Sequence, residues 1–305
     1  MVKLNLEEIT KKTISALSSR PTSSIQGIAK DIGLSQRWFK KEILKMKKQG
    51  TIKSWQIILN PRLLQQQIFF FLLKTNPNEP RVIKELLTHY DKDSLSTIEG
   101  ITGEYSLIGR FHVPNATDFL DSLDHLYELI GGTGFQKYQI IEVIQVHKEH
   151  GISIPEKEYI LKPHELERLH LINKLGEKFN LPPSTYEIAE EIKVSQPTVY
   201  RQLKKWRDRK IILGYSVGTS YWSENFIHSY IQIKAPLGKY KSAVEYCIND
   251  KRVIEIYRTN QEYSLLIKTR HPSLEDLNQF LNSFYKYATL TDTITRIVLD
   301  YIRYY

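Results

Sequence analysis

The chain carries the stretch Ile28-Ala29-Lys30-Asp31-Ile32-Gly33-Leu34-Ser35-Gln36 and repeats it 160 residues later as Ile188-Ala189-Glu190-Glu191-Ile192-Lys193-Val194-Ser195-Gln196. In both copies a short apolar-periodic segment is followed by a turn and by a serine that can cap the next helix. A basic segment and then a short β-prone segment follow each copy, the latter being Thr51-Ile52-Lys53-Ser54-Trp55 and Ile211-Ile212-Leu213-Gly214-Tyr215. This order predicts two winged helix-turn-helix units in one polypeptide.

The third helix of each predicted unit has one apolar face. Phe39, Ile43 and Met46 stand at positions i, i+4 and i+7, and Val199, Leu203 and Trp206 repeat that spacing. Ser35 is the predicted N-cap of the first of these helices, and Gly50 closes it. The opposite face of each helix is therefore expected to point outward and to act as a recognition helix.

The residue types on that outward face suit double-stranded DNA. Glutamine, arginine and threonine can read base edges, whereas lysines are suited to phosphates because they carry a compact charge. Two roles stay open for Trp38: it packs beneath the wing, or it lies against DNA. The predicted DNA-contacting residues are Ser35, Gln36, Arg37, Trp38, Lys40, Lys41, Lys45, Lys53, Ser195, Gln196, Thr198, Arg201, Gln202, Lys204 and Lys205.

The distribution of charge supports the same interpretation. The chain has a net charge of +9, but residues 36–53 alone carry +6 and residues 196–213 carry +5, so the remainder is −2. Positive charge concentrated at the same point of a repeated motif is typical of surfaces that replace counterions on a polyanion.

Between and after these units the pattern changes to βαββαβ, a ferredoxin-like order. The first copy is predicted as strand 66–74, helix 79–90, strands 94–99 and 104–113, helix 115–130 and strand 135–147. The second is strand 226–234, helix 239–249, strands 252–259 and 262–270, helix 273–288 and strand 292–304. Residues 148–163 are predicted to be a linker. The expected fold class is α+β, with domains at 1–60, 61–150, 151–218 (linker included) and 219–305.

Other classes of protein are disfavoured. The longest apolar run, residues 68–73, is far shorter than the roughly 20 residues of a membrane helix, and the N-terminus lacks the apolar core of a secretory signal. One cysteine, Cys247, is expected to be a small core residue in a reducing cytoplasm. His147 and His150 are expected to lie in a solvated linker rather than to bind a metal. No phosphate loop or catalytic triad is recognised, so no metal, cofactor or enzyme activity is expected.

Several short motifs resemble the Lrp/AsnC, or feast–famine, family of transcription regulators. They are Ile28-Ala29, Gly33-Leu34-Ser35, Gly50-Thr51-Ile52-Lys53-Ser54-Trp55 and Leu59-Asn60-Pro61. The resemblance covers nearly the whole chain, because the architecture of a helix-turn-helix followed by a βαββαβ (RAM-type) unit occurs twice. It is weaker in the second half, where Lys210 replaces Gly50 and the Asn-Pro exit is lost.

This resemblance implies that the chain folds as an intrachain pair, which can assemble further into homo-oligomers. It also implies an amino acid or other small-molecule effector near the turns between the second and third strands. The matching residues are Gly103, Glu104 and Ser106 in the first half and Gln261, Glu262 and Ser264 in the second.

The function expected from these observations is a sequence-specific, double-stranded DNA-binding transcription regulator. Its two unlike recognition helices would enter successive major grooves about 34 Å apart and read unlike half-sites. Two alternatives stay open. Siroheme decarboxylases share the duplicated architecture and would need acid groups between the sheets, for which His112, Arg110 and His228 are candidates. The other alternative is a sequence-neutral DNA-packaging protein.

Overall fold

The chain is organised as two compact units in the computed structural model, each assembled from two separate segments. Unit 1 comprises Met1–Leu64 with Ile154–Glu224, and unit 2 comprises Gln65–Ser153 with Asn225–Tyr305. The structure describes residues 10, 12–14, 17, 25–64, 66–75, 81–91, 94–130, 135–155, 161–178, 184–219, 225–236, 238–288 and 290–303.

Within these residues the helices and strands follow the two repeats. The helices are α1 (Ile25–Asp31), α2 (Gln36–Lys48), α3 (Arg81–His89), α4 (Ala116–Ile130), α5 (Pro163–Lys178), α6 (Thr185–Glu191), α7 (Gln196–Asp208), α8 (Tyr240–Ile248) and α9 (Leu274–Tyr287). The strands are β1 (Ile52–Leu59), β2 (Gln67–Thr75), β3 (Leu95–Ile101), β4 (Leu107–Val113), β5 (Phe135–Glu149), β6 (Ile152–Ser153), β7 (Ile212–Thr219), β8 (Ile227–Lys234), β9 (Val253–Thr259), β10 (Leu265–His271) and β11 (Asp292–Arg303).

Unit 1 holds both helix-turn-helix motifs and joins them through a two-stranded sheet. The two predicted wing segments pair with each other, since β1 runs antiparallel to β7 of the other motif, with Trp55 opposite Val217 and Ile57 opposite Tyr215. A shared apolar core accompanies this pairing. Leu63, at the exit from β1, is buried together with residues of α5, α6 and α7, among them the fully buried Trp206. The two motifs are thus one folded body.

Unit 2 contains both βαββαβ repeats in one sheet, in the order β2-β4-β3-β11-β8-β10-β9-β5-β6. The sheet closes on itself because β2 also pairs with β5, while the short β6 lies outside this circuit. Each repeat contributes to the other's sheet, since β11 pairs with β3 and β5 pairs with β9. The α+β fold class expected from the sequence is confirmed.

Alternating residues give the strands of unit 2 two different faces. One face carries apolar side chains that pack against the helices, as Phe69 and Phe111 pack against Phe119 of α4 in the first repeat. Ile231 and Ile267 join Phe280 of α9 in an equivalent cluster of the second repeat. The other face is also buried and carries charged groups such as Arg110 and Lys268 beside aromatic rings such as Phe70.

The main difference from the predicted elements lies at residues 148–153. These residues were expected to begin a solvated linker, but β5 continues to Glu149, β6 follows, and both Lys148 and Glu149 are buried. The reason is local pairing: the amide of Gly151 donates to the carbonyl of Ile254 at 2.8 Å, and Lys148 Nζ donates to the carbonyl of Asp250 at 2.8 Å. The assignment of this segment as a solvated linker was therefore wrong.

Two strands begin later than predicted, β4 at Leu107 instead of 104 and β10 at Leu265 instead of 262. The preceding residues form the turns instead, where Gly103 has a φ of +100°. Cys247 is buried, as expected, and burial raises the pKa of its thiol. In the described parts of the chain, no helix has the length and apolar character needed to cross a membrane.

Candidate nucleic-acid interface

The first recognition helix, α2, is set by its cap and by the turn before it. Ser35 has an extended backbone, and its Oγ accepts a hydrogen bond from the amide of Trp38 at 3.2 Å, so the predicted N-cap is confirmed. The amide of Leu34 donates to the carbonyl of Ala29 at 2.8 Å across the turn at Gly33. Phe39 and Ile43 are fully buried beneath α2. These contacts fix which face of the helix is outward.

The second recognition helix, α7, repeats this geometry with different side chains. The amide of Val194 donates to the carbonyl of Ala189 at 3.1 Å, matching the turn before α2. Ser195 has the same extended backbone as Ser35, but its Oγ lies 2.8 Å from Oγ1 of Thr198 rather than accepting from an amide. The helix before α7 has a complete capping box between Ser184 and Glu187. The two copies therefore share backbone geometry while differing in chemistry.

The turns that flank the recognition helices are left-handed in both copies. Gly33 and Gly50 have φ of +75°, and Lys193 and Lys210 at the matching positions have φ of +53° and +57°. A residue with a Cβ is strained in this region, whereas glycine is not. The backbone geometry is thus kept in the second copy although the glycines are not.

Most residues predicted to contact DNA lie on the surface of unit 1. Those that are exposed are Ser35, Gln36, Arg37, Lys40, Lys41, Lys53, Ser195, Gln196, Thr198, Arg201, Lys204 and Lys205. Three are partly buried instead, namely Trp38, Lys45 and Gln202. For Gln202 the reason is the rotation of about 100° per residue along a helix, which places it next to the buried face formed by Val199, Leu203 and Trp206.

Gln202 departs furthest from the prediction. Its Nε2 atom is buried, and the described residues include no hydrogen-bond partner for it. It lies with Arg168, Thr198 and Trp206 around a small cavity of about 10 Å³ beneath α7. The assignment of Gln202 to the outward face was therefore wrong. The equivalent residue of the first copy, Glu42, is also buried.

Several exposed side chains of α7 already have partners within unit 1. Lys205 Nζ donates to Oε1 of the buried Glu165 at 3.3 Å, which ties α7 to the start of α5. The pKa of Glu165 is lowered, because hydrogen bonds from Lys162 and Lys205 outweigh the effect of its burial. Arg201 Nε donates to the carbonyl of Pro197 at 3.3 Å, and Arg201 as a whole stays exposed.

Two large apolar residues are also exposed on the recognition helices and are not in the predicted set. Leu44 of α2 is 43% exposed and Tyr200 of α7 is 54% exposed. Each directly follows a residue of its helix's buried face, Ile43 or Val199, and therefore lies about 100° away from it around the helix.

The turns that carry the predicted effector residues dock onto the opposite repeat. The amide of Thr102 donates to the carbonyl of Ile297 at 2.9 Å, and the amide of Asn260 donates to the carbonyl of Glu142 at 3.3 Å. The predicted residues are largely engaged in protein contacts: Glu104 pairs with Lys137, Glu262 pairs with Lys234, Ser106 bonds to Thr75 and Leu73, and Gln261 bonds to Gln139 and Ile140. Gly103 lies against Arg296, and Ser264 is partly buried.

The polar face of the unit 2 sheet contains a buried charge network. Arg110 Nη1 lies 2.9 Å from Glu149 Oε1 and donates to the hydroxyl of Tyr257 at 2.9 Å. Lys268 Nζ lies 2.7 Å from Glu99 Oε1, so this ion pair joins the two repeats. Desolvation and the nearby Arg110 lower the pKa of His112 to about 3. His228 is buried against the ring of Tyr301.

Comparisons with known proteins bear on both the fold and the candidate interface. No protein-family model matches the chain. An uncharacterised HTH-type transcriptional regulator of Pyrococcus horikoshii is 28% identical over 118 residues, which cover 38% of this chain and 80% of that protein. The HTH-type transcriptional regulator FL11 of the same organism is 25% identical over 150 residues, 48% of this chain and 95% of its own length.

A solved structure matches almost the full length. The siroheme decarboxylase NirDL aligns with 96% of this chain, over 92% of its own length, with a TM-score of 0.65 at 14% sequence identity. At this identity the match shows a shared fold and no more. The two sequence relatives match 38% and 48% of this chain, and both are named as HTH-type transcriptional regulators. The resemblance to the Lrp/AsnC regulators, carried in tandem by a single chain, is thereby confirmed.

Proposed function

We propose that this chain is a sequence-specific, double-stranded DNA-binding transcription regulator in which the two helix-turn-helix motifs act as a built-in pair. The proposal rests on one observation: a single folded unit exposes two basic recognition helices. Each begins with an exposed glutamine, Gln36 or Gln196, and continues with exposed cations. The transcriptional regulators among its relatives support the same function.

The two kinds of exposed side chain have different roles in DNA binding. Lys40, Lys41 and Lys204 supply charge to phosphates, so affinity should fall steeply as salt concentration rises. Gln36, Arg37, Gln196, Thr198 and Arg201 have the groups that read base edges. Lys205 contributes less to phosphate binding than a free lysine because Glu165 holds its ammonium.

The proposal includes that the chain is not an enzyme of the decarboxylase type. Arg110 is held by Glu149, Tyr257 and Ser96, so its guanidinium is committed to the protein. His112 has its pKa lowered to about 3 and is neutral near pH 7, where a catalytic acid needs a proton. Incubation with siroheme should leave the tetrapyrrole unchanged, and decarboxylated product would overturn this part of the proposal.

We propose that a small-molecule effector binds near the β3–β4 and β9–β10 turns and modulates DNA binding. We also propose that further copies of the chain assemble into a homo-oligomer. Because these turns bond across the two repeats, a ligand that displaced such contacts would act on both repeats at once. Screening the amino acids for a change in DNA affinity tests this, and a uniformly negative screen would remove the effector from the proposal.

Selection of bound sequences from random duplexes is the experiment that tests the function. We expect one enriched site with two unlike half-sites, because α2 and α7 expose different residues. Recovery of no preferred sequence would favour a DNA-packaging protein. A perfectly palindromic site whose two halves are equally protected in footprinting would contradict unlike half-sites.

Arg201→Ala then separates base from phosphate contact. If Arg201 is bidentate to a guanine, the variant should lose about 1–3 kcal/mol on the selected site and less on random DNA. Equal losses on both duplexes would show a phosphate contact instead. Arg81→Ala, which removes an exposed arginine from α3 of unit 2, is the matched control and should bind as the wild type does.

A further inference from the structure

The outward faces of the two recognition helices carry exposed large apolar side chains among cations. Leu44 is 43% exposed on α2, and Tyr200 is 54% exposed on α7. Neither residue belongs to the apolar core of unit 1, whose side chains on α7 are Val199, Leu203 and Trp206. Single exposed apolar residues are ordinary, but these two occupy the surface that the proposed function assigns to DNA.

The two residues lie on matching rows of their helices in a different order. Residues four apart share one helix face. On α2 this row reads Gln36, Lys40, Leu44, and on α7 it reads Gln196, Tyr200, Lys204; all six are exposed. Each row thus presents one glutamine, one cation and one large apolar group, and the last two change places between the helices.

An apolar group on a recognition helix has one favourable partner among base edges in the major groove, the 5-methyl group of thymine. Burying that methyl group against Leu44 or the Tyr200 ring removes apolar surface of both molecules from water. We propose that Leu44 and Tyr200 are specificity-determining residues, each contacting a thymine methyl group in its own half-site. This inference rests on the proposed DNA-binding function and names part of what the two helices read.

The exchanged order sets where each thymine lies. Four residues along a helix span about 6 Å, which corresponds to roughly two base pairs of B-DNA. Measured from the base that the row's glutamine reads, the thymine contacted by Leu44 should therefore be displaced by about two base pairs from the one contacted by Tyr200. The two half-sites would differ in this spacing even if other contacts were alike.

Thymine-to-deoxyuridine scanning of the selected duplex tests the proposal, since each replacement removes a single methyl group. We expect one sensitive position in each half-site, with affinity reduced about fourfold, the value of one buried carbon group. Tyr200→Ala should bind the thymine duplex several-fold more weakly and lose sensitivity to deoxyuridine in one half-site only. Leu44→Ala should do the same in the other half-site.

A second variant separates the ring of Tyr200 from its hydroxyl group. Tyr200→Phe keeps the ring and should retain wild-type affinity and methyl sensitivity. An equal loss for Tyr200→Phe and Tyr200→Ala on selected and random DNA would show a phosphate contact by the hydroxyl and would overturn the proposal for this residue. Tyr127→Ala and Leu120→Ala, exposed residues of α4 in unit 2, are matched controls and should bind as the wild type does.

The outcomes distinguish this inference from the function on which it rests. If no sequence is enriched from random duplexes, the proposed function fails and the inference with it. If a site is enriched, but the alanine variants keep wild-type affinity and the same deoxyuridine sensitivity, only the inference is overturned. Loss of one sensitive position per variant, in opposite half-sites, would support it.

Discussion

At the scale of single residues, the second copy of the motif keeps a backbone that its sequence no longer favours. Lys193 and Lys210 adopt left-handed φ angles where the first copy has Gly33 and Gly50. Nothing lies within 4 Å of a Cβ built at either glycine, so the constraint comes from the backbone conformation rather than from crowding. The duplicated turn hydrogen bonds hold this conformation in the second copy.

Lys210→Gly should therefore stabilise unit 1 by about 0.5–1 kcal/mol, since relief of left-handed strain exceeds the entropy cost of glycine in the unfolded chain. Urea denaturation gives the free energy of unfolding. Lys210→Gln removes the charge but keeps the strain, so it should leave stability nearly unchanged. Lys204→Gly, in the interior of α7, should be destabilising by about 1 kcal/mol, and a gain there would contradict the explanation.

His112 gives a second prediction at this scale, from the pKa lowered by desolvation and by Arg110 to about 3. Below roughly pH 6.5 the unfolded chain takes up a proton that the folded state binds only near pH 3. The free energy of unfolding should then fall by about 1.4 kcal/mol per pH unit between these values on account of this residue. His112→Gln should make the decline shallower in urea titrations at stepped pH, with the exposed His125→Gln as the control. Identical slopes for both variants would contradict the assignment.

At the scale of elements, helix and strand positions followed from periodicity, but their partners did not. The spacing of Phe39, Ile43 and Met46 is enough to predict α2 and its buried face. The pairing of β1 with β7 was not predictable, because the sequence of a β-prone segment indicates that it favours a strand but not which strand it pairs with. Gln202 was misplaced for a related reason: its side chain suits DNA, yet its angular position puts it beside the core.

Arg303 makes a long-range contact between β11 and the end of α3. From the end of β11 its Nη1 donates to the carbonyls of Tyr90 at 2.7 Å and of Asp91 and Leu95 at 3.2 Å, and its Nη2 donates to that of Leu87 at 3.0 Å. Two of these acceptors, Leu87 and Tyr90, lie at the C-terminal end of α3, where a cation is also favourable.

Replacing Arg303 with alanine should destabilise unit 2 by about 2–3 kcal/mol, because charged hydrogen bonds are lost and carbonyl groups are left without this donor. Arg303→Lys keeps the charge but not the planar fork, so it should recover only part of the loss. The free energy of unfolding measures both. Full recovery by lysine would show that charge alone matters at this helix end.

At the scale of the whole molecule, the duplication predicted a pair within one chain, but not how closely the two repeats of unit 2 depend on each other. β3 and β5 of the first repeat complete their pairing with β11 and β9 of the second. Sequence patterns also concealed the buried charges between them, since Glu99 and Lys268 are residue types that normally lie at the surface.

The Glu99–Lys268 pair leads to a prediction for this scale. Both side chains are almost completely buried, and Glu99 also accepts from the hydroxyl of Tyr230. Lys268→Met leaves a carboxylate buried without its cation and should cost about 3–5 kcal/mol of the free energy of unfolding. Lys268→Met combined with Glu99→Gln removes both charges and should recover most of that loss.

The double-mutant cycle tests whether the pair couples the repeats, because its two residues come from different halves of the chain. We expect a coupling energy well above 0.5 kcal/mol, and we expect probes in both repeats to report the same unfolding midpoint for every variant. Tyr138 and Tyr287, exposed in the first and second repeats, mark positions for such probes. Additive losses would show that strand pairing alone joins the repeats and that the buried charges do not couple them. Separate midpoints for the two repeats in Lys268→Met would contradict the expected single unfolding transition.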